Sequence, residues 1–213
     1  MKDFPVFTTP NGVASIVLRE VPYKGEAYIT LRNTQEPDAL LAECVDFCKV
    51  AGATKIYATG YDILEKYPLH TTVVKMQQLL DNLPEGDGCL FPVTEETAEK
   101  WRSIYSEKML PVPIASTITR EDMKKYISRG GCYFVHEGDI LLGIGLVSDE
   151  KIEAIAACKS GAGETVLLTL CNAMFSETVT VDVASANIPA LRLYQRLGFQ
   201  KSAEISRWYK VSE

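Results

Sequence analysis

The chain has 213 residues, 46% of them hydrophobic, with a formal net charge of −6 and a sequence pI near 5.1. That length supports one large or two small domains with a sizeable core. The acidic balance argues against a nucleic-acid partner, whose phosphates it would repel, and mildly favours a cationic one.

In chain order, GVASIVLREVP and EAYITLRNT read as strands. PDALLAECVDFCKVAG reads as a helix ended by Gly52, and KIYATG as a strand. YDILEKYP reads as a short helix and HTTVVKMQQL as a closing strand. LPEGDG is then a linker-like cluster of Pro, Gly and acid, separating regions 1–83 and 88–213.

Beyond it, CLFPV is a short strand. Thr94 precedes a helix with Glu95 and Glu96 in its first turn, EETAEKWRSIYSEKM. Thr119, with Glu121 and Asp122 behind it, opens a second helix that stops at Gly130-Gly131. The stretch from Cys132 to Cys158 divides at Gly138-Asp139 and at Ser148-Asp149-Glu150 into a three-stranded meander. After glycines 161 and 163, VLLTLCNAMF reads as a buried helix and SETVTVDVA as an alternating strand. NIPALRLYQRLGF is a helix capped by Asn187, with Pro189 in its first turn and Gly198 at its end. A last strand, FQKSAEISRWYKV, follows.

Neither a basic stretch followed by an apolar run at the start, nor any run approaching the ~18 apolar residues of a membrane span, is present in the sequence. A cytoplasmic protein without a membrane partner is the expectation. The six cysteines are scattered without a CxxC pattern, and the two histidines, His70 and His136, are far apart in sequence. Reduced, mostly buried thiols and no metal are expected.

Two features carry chemistry. The first is the segment IEAIAACKSGAGETVLLTL, in which a strand ends, Gly161-Ala162-Gly163 lets a backbone approach an anion, and a helix begins at once. Unpaired amides at a helix start bind phosphate groups. The second is the order Asn187-x-x-Ala190-x-x-Leu193-Tyr194-x-x-x-Gly198-Phe199. Ala190, Leu193, Tyr194 and Leu197 share one helical face, so the tyrosine ring packs while its hydroxyl can reach a cleft.

That order resembles the C-terminal signature of the GNAT superfamily of N-acetyltransferases. The glycine segment resembles the family's pyrophosphate loop, Gln/Arg-x-x-Gly-x-Gly/Ala, although Cys158 stands where Gln or Arg is usual. The element order β-α-α-β-β-β-α-β-α-β over about the last 125 residues is also the family's. The resemblance implies an α+β fold with a mixed, mostly antiparallel sheet flanked by helices. The first region reads as a shortened echo of the second half of that fold, giving a tandem with one degenerate copy; a plain α/β extension is the alternative.

The resemblance also implies acetyl transfer from acetyl-CoA to a primary amine by direct attack. The cofactor would lie along Ile155 and Ala157 of the strand and on the amides of Gly161, Ala162, Gly163 and Glu164. Asn187 would cap its helix and reach the pantetheine arm, as the family's does. Backbone N–H groups of the Ile152–Ala157 strand would stabilise the oxyanion. Tyr194, protonated at neutral pH, would donate to the leaving thiolate.

Glu153, the one acid inside that apolar strand, is the candidate base, directly or through water. A solvent-facing Glu153 is the alternative, with His136 a second candidate base and Cys158 a weaker candidate nucleophile. Trp101, Tyr105 and Tyr126 lie on the two helices that wall the acceptor side in the family, where such aromatics are more often core. Glu36 and Asp38 at the first region's helix start would repel a pyrophosphate, so only the second region should bind cofactor. The acceptor is a small amine or a peptide amine, and the assembly a monomer or homodimer. A non-catalytic acyl-CoA-binding module on the same fold is the competing reading.

Overall fold

The computed structural model describes residues 5–212 and divides into two compact units. One comprises the chain up to Val73 together with residues 205 onward; the other is Val74–Glu204. The divisions fall inside strands, whereas the composition reading placed the boundary at the Pro-Gly cluster 84–88.

The first unit orders its strands β1 (Val6–Thr9), β2 (Gly12–Val17), β3 (Glu26–Asn33), β4 (Lys55–Thr59) and β11 (Gln200–Ser212). A four-residue helix α1 (Val21–Lys24) stands where the sequence reading had continued a strand, because Pro22 starts a helical turn there. Helix α2 (Pro37–Val50) buries Leu40, Leu41, Cys44 and Cys48 against Ala27, Ile29, Leu31, Ile56 and Ala58. Burial lifts the Cys44 thiol to about 12 and Cys48 to about 11, so both stay protonated and inert. The expected short helix after β4 is a 3-10 turn, Asp62–Lys66.

The second unit orders its strands β5 (Leu69–Leu79), β10 (Thr178–Ala184), β9 (Lys151–Ala157), β8 (Ile140–Val147), β7 (Cys132–Glu137) and β6 (Cys89–Pro92). β6 with β7, β7 with β8 and β8 with β9 pair antiparallel, whereas β9 pairs with β10 in parallel. In sequence β5 follows β4, yet β11 lies beside β4, with Tyr209 opposite Ala58. The later residues of β5 instead put Val74 and Met76 into the second core.

Helices α3 (Ala98–Met109) and α4 (Arg120–Arg129) cover one sheet face through Trp101, Tyr105, Met123, Phe134, Ile144 and Leu146. Helices α5 (Gly163–Cys171) and α6 (Ile188–Arg196) pack in the other cluster. The order from β6 to β11 is the one the sequence implied, and the fold is mixed α+β.

Three local expectations are corrected. Thr94 does not open α3, because the Thr94 and Thr97 hydroxyls and backbones bond each other in a preceding turn. Helix α5 begins at Gly163, earlier than the apolar run, and ends at Cys171. The Pro-Gly cluster is no free linker: Gly86 exchanges hydrogen bonds with the Asn172 side chain, and the Gly88 N–H donates to Thr169 Oγ1.

Candidate functional site

Strands β9 and β10 run parallel but register at only two pairs, Thr180 with Lys151 and Val181 with Ile152. Residues 153–157 of β9 and 182–184 of β10 have no partners in each other, so the strands part just after their first turn of pairing. The N–H and C=O groups on that side of β9, around Ile155 and Ala157, are left as an unpaired edge. On its other side β9 stays hydrogen-bonded to β8, with Ile155 opposite Gly145 and Ala157 opposite Gly143.

The parting coincides with an irregularity. Leu146 pairs with Ala154 but Val147 with Ile152, which leaves Glu153 as the extra residue of a β-bulge. Glu153 is an exposed residue, as the solvent-facing alternative has it, but its carboxylate does not stand alone: Arg129, the last residue of α4, binds it at 2.9 Å. Lys151 and Asp182 form an ion pair across the same vertex. Sequence reading missed Arg129, Lys151 and Asp182. The only hint was that Arg129 closes a helix just before two glycines.

At its far end β9 leads into Cys158–Ala162. Gly161 has φ 83, and a Cβ built there would meet nothing within 4 Å, so the loop presents an open, left-handed backbone. Ala162 caps α5 without a side-chain acceptor, leaving the first-turn amides of Gly163 and Glu164 for another partner. The Glu164 carboxylate is drawn to Arg196 at the end of α6, at 2.9 and 3.2 Å. Lys159 and Ser160 are exposed.

Helix α6 meets this loop directly: a Cβ on Gly163 would sit 3.4 Å from Leu193 Cδ2. The next residue, Tyr194, is 4% exposed, packs on Phe199 and belongs to the same cluster as Ala162, Val181 and Val183. Burial alone raises its pKa, so the phenol keeps its proton, and among the described residues no hydrogen bond to its hydroxyl is found. Asn187 caps α6 by accepting the Ala190 N–H at 3.4 Å.

Other candidates lie elsewhere. His136 is in β7 beside Phe91, opposite Leu141 of β8. Cys158 is half-buried, and burial raises its thiol against the pull of Lys108, which disfavours the thiolate a nucleophile needs. Trp101 and Tyr105 are core residues whose polar atoms donate to the Tyr133 and Ser116 carbonyls. A cavity of about 340 Å³ on the α3–α4 seam is lined by none of the residues named for the site.

No family model and no curated protein matches this sequence. Solved structures do. A GCN5-related N-acetyltransferase from Sphaerobacter thermophilus superposes with a TM-score of 0.58 over 94% of this chain and 77% of its own, at 12% identity. The chain has the GCN5-related N-acetyltransferase fold. A tandem GNAT protein from the clavulanic acid biosynthesis pathway matches 94% of this chain and 78% of its own, at 14% identity and TM-score 0.55. A conserved protein of unknown function from Staphylococcus epidermidis matches 99% and 94%, at 10% identity and TM-score 0.61. At such identities the likeness is one of fold.

Both units contain a parallel strand–helix–strand arrangement. In both, a strand leads through a loop and a helix to a parallel neighbour: β3–α2–β4 and β9–α5–β10. In both, an acid in the helix's first turn pairs with a base at the end of the next helical element, Asp38 with Lys66 and Glu164 with Arg196.

Proposed function

We propose that the chain is an acetyl-CoA-dependent N-acetyltransferase whose second unit carries the reaction, the first being a degenerate partial copy. The observation that carries this reading is the early end of the β9–β10 register, next to an open glycine loop and a buried phenol with no hydrogen-bond partner among the described residues.

Acetyl-CoA fits this arrangement as co-substrate. Its diphosphate suits the amides of Gly161, Gly163 and Glu164 at the start of α5, where the helix dipole favours negative charge, whereas the Ala162 N–H expected to join them already donates to the Lys159 carbonyl at 3.2 Å. Its extended amide arm suits the unpaired edge of β9 at Ile155 and Ala157, with Asn187 near the opposite wall. A carbonyl held against backbone N–H groups of that edge would have donors in place as it becomes an oxyanion. Glu153, at the vertex, would take the proton from the attacking amine. Tyr194 would give its proton to the sulfur as the carbon–sulfur bond breaks. The acceptor is a small or peptidyl primary amine, consistent with the acidic net charge, in a cytoplasmic monomer or homodimer.

Thermal shift with CoA and acetyl-CoA, paired with thiol release against an amine panel, tests the reading. Stabilisation by both, with thiol release dependent on an amine, is expected. Stabilisation without turnover by any amine would favour the competing reading, an acyl-CoA-binding module. The Glu153–Arg129 ion pair and Cys158 in place of Gln or Arg are the observations on its side.

A further inference from the structure

The carboxylate placed to receive the amine's proton is already bound to a cation. Glu153 accepts from Arg129 at 2.9 Å, with 27% of the glutamate side chain and 46% of the arginine side chain exposed. An incoming ammonium would find its counter-ion taken.

The geometry around Arg129 shows why the pair forms where it does. Gly131, two residues later, has φ 85, and a Cβ there would lie 2.1 Å from the Val147 carbonyl oxygen. The Val147 N–H donates to the Gly131 carbonyl at 2.8 Å. Val147 is also the residue opposite the bulge at Glu153. The end of α4 is therefore fastened to the very point of β8 that faces the bulge, and this delivers Arg129 to the bulged carboxylate.

Two features make the arrangement exchangeable. Both partners keep solvent contact, and partly exposed ion pairs are weakly bound. Arg129 also has a second partner already in hand, because while it binds Glu153 its guanidinium carbon lies 5.6 Å from the centre of the Tyr126 ring, within cation–π range. Leaving Glu153 would not strand the charge.

We propose that Arg129 is a placeholder cation, occupying Glu153 in the free protein and giving it up, while keeping its contact with the Tyr126 ring, when the acceptor's ammonium takes its position. This rests on the acetyl-transfer reading and assigns the acceptor class: an amine that arrives protonated, as an alkylammonium. Displacement also frees Glu153 from the guanidinium just as the ammonium proton needs a destination. Arg129 acts through Glu153 and is a positioning residue.

The test is steady-state kinetics at saturating acetyl-CoA, using whichever alkylamine of the panel the wild type turns over best. Arg129→Gln removes the competitor, so the amine KM should fall about two- to fivefold, the scale of a partly exposed ion pair, with the change in KM rather than kcat. Arg129→Lys restores a cation and should return KM toward the wild-type value. Arg129→Met serves as a second charge-removing variant should the glutamine protein melt well below the wild type. A KM that is unchanged or raised in the charge-removing variants, or a loss confined to kcat, would overturn the placeholder role while leaving acetyl transfer intact. A wild type that binds acetyl-CoA yet acetylates no amine would overturn the acetyl-transfer reading itself, and this proposal with it.

Discussion

The two parallel strand–helix–strand segments differ in one decisive respect. In the first unit β3 and β4 stay in parallel register through five pairs, from Glu26 with Lys55 to Thr30 with Thr59, the whole length of β4. In the second, β9 and β10 part after two. The loops differ likewise. Before α2 the Thr34 N–H donates to the Tyr61 hydroxyl, the Glu36 N–H donates to Thr34 Oγ1, and Pro37 has no N–H. Before α5 a left-handed glycine stands open.

Charge, by contrast, separates the units poorly. Repulsion by acids at the start of α2 was the sequence-based reason to deny it a cofactor, yet Glu164 sits in the first turn of α5 too. Both Asp38 and Glu164 are neutralised by a base from the following element. Backbone availability is what distinguishes a slot from a closed sheet. The same parallel pair can be either, depending on whether its hydrogen bonds are spent on the neighbouring strand or kept for a ligand.

The largest effect expected from breaking this contrast is at Tyr194. Tyr194→Phe should lower amine-dependent thiol release by about 10²-fold or more, the usual scale of general acid catalysis, while CoA still raises the melting temperature. Equal turnover would remove the phenol from the chemistry. Next comes Gly161→Val, which strains a residue at φ 83 and fills the open loop. CoA affinity by calorimetry should drop about tenfold, as for loss of a charge-assisted hydrogen bond. Glu36→Gln in the first unit should leave that affinity unchanged.

Smaller effects test the closed segment. Gly60, just beyond β4, has φ 121, and a Cβ there would lie 2.4 Å from the Leu31 carbonyl oxygen. Gly60→Ala should cost about 1–2 kcal/mol in chemical denaturation with little change in CoA affinity. Least is expected at His70, stacked on Tyr57 at 4.3 Å. Burial, helped by Lys210 and Lys55 against Glu26, holds its pKa below the ordinary value. The unfolded chain then binds more protons, so stability is full above about pH 6.5 and declines as pH falls through that value. Melting temperature against pH should show that decline, and His70→Gln should flatten it.

Much of this was legible in the residues. Thr119 and Asp122 form the full capping box at the start of α4, and Asn187 caps α6, because caps are local and carry their own side-chain signal. The glycine loop and the tyrosine helix, both singled out in the sequence, lie next to each other, with Gly163 against Leu193. What stayed hidden was long-range. Nothing in the periodicity of HTTVVKMQQL tells that β11 rather than β5 will lie beside β4. Nor does the sequence show that Arg129 reaches the bulge at Glu153, since a bulge depends on the partner strand. The start of α3 was misplaced because Thr94 and Thr97 satisfy each other in a turn, a choice that composition alone does not reveal.

Amide hydrogen exchange with and without CoA tests the central claim most directly, because it reads both segments in one experiment. Slower exchange across residues 154–165, with no change across 31–40, is the predicted result. Protection at 31–40, or none at 154–165 under saturating CoA, would contradict the assignment of the coenzyme to the parted strands.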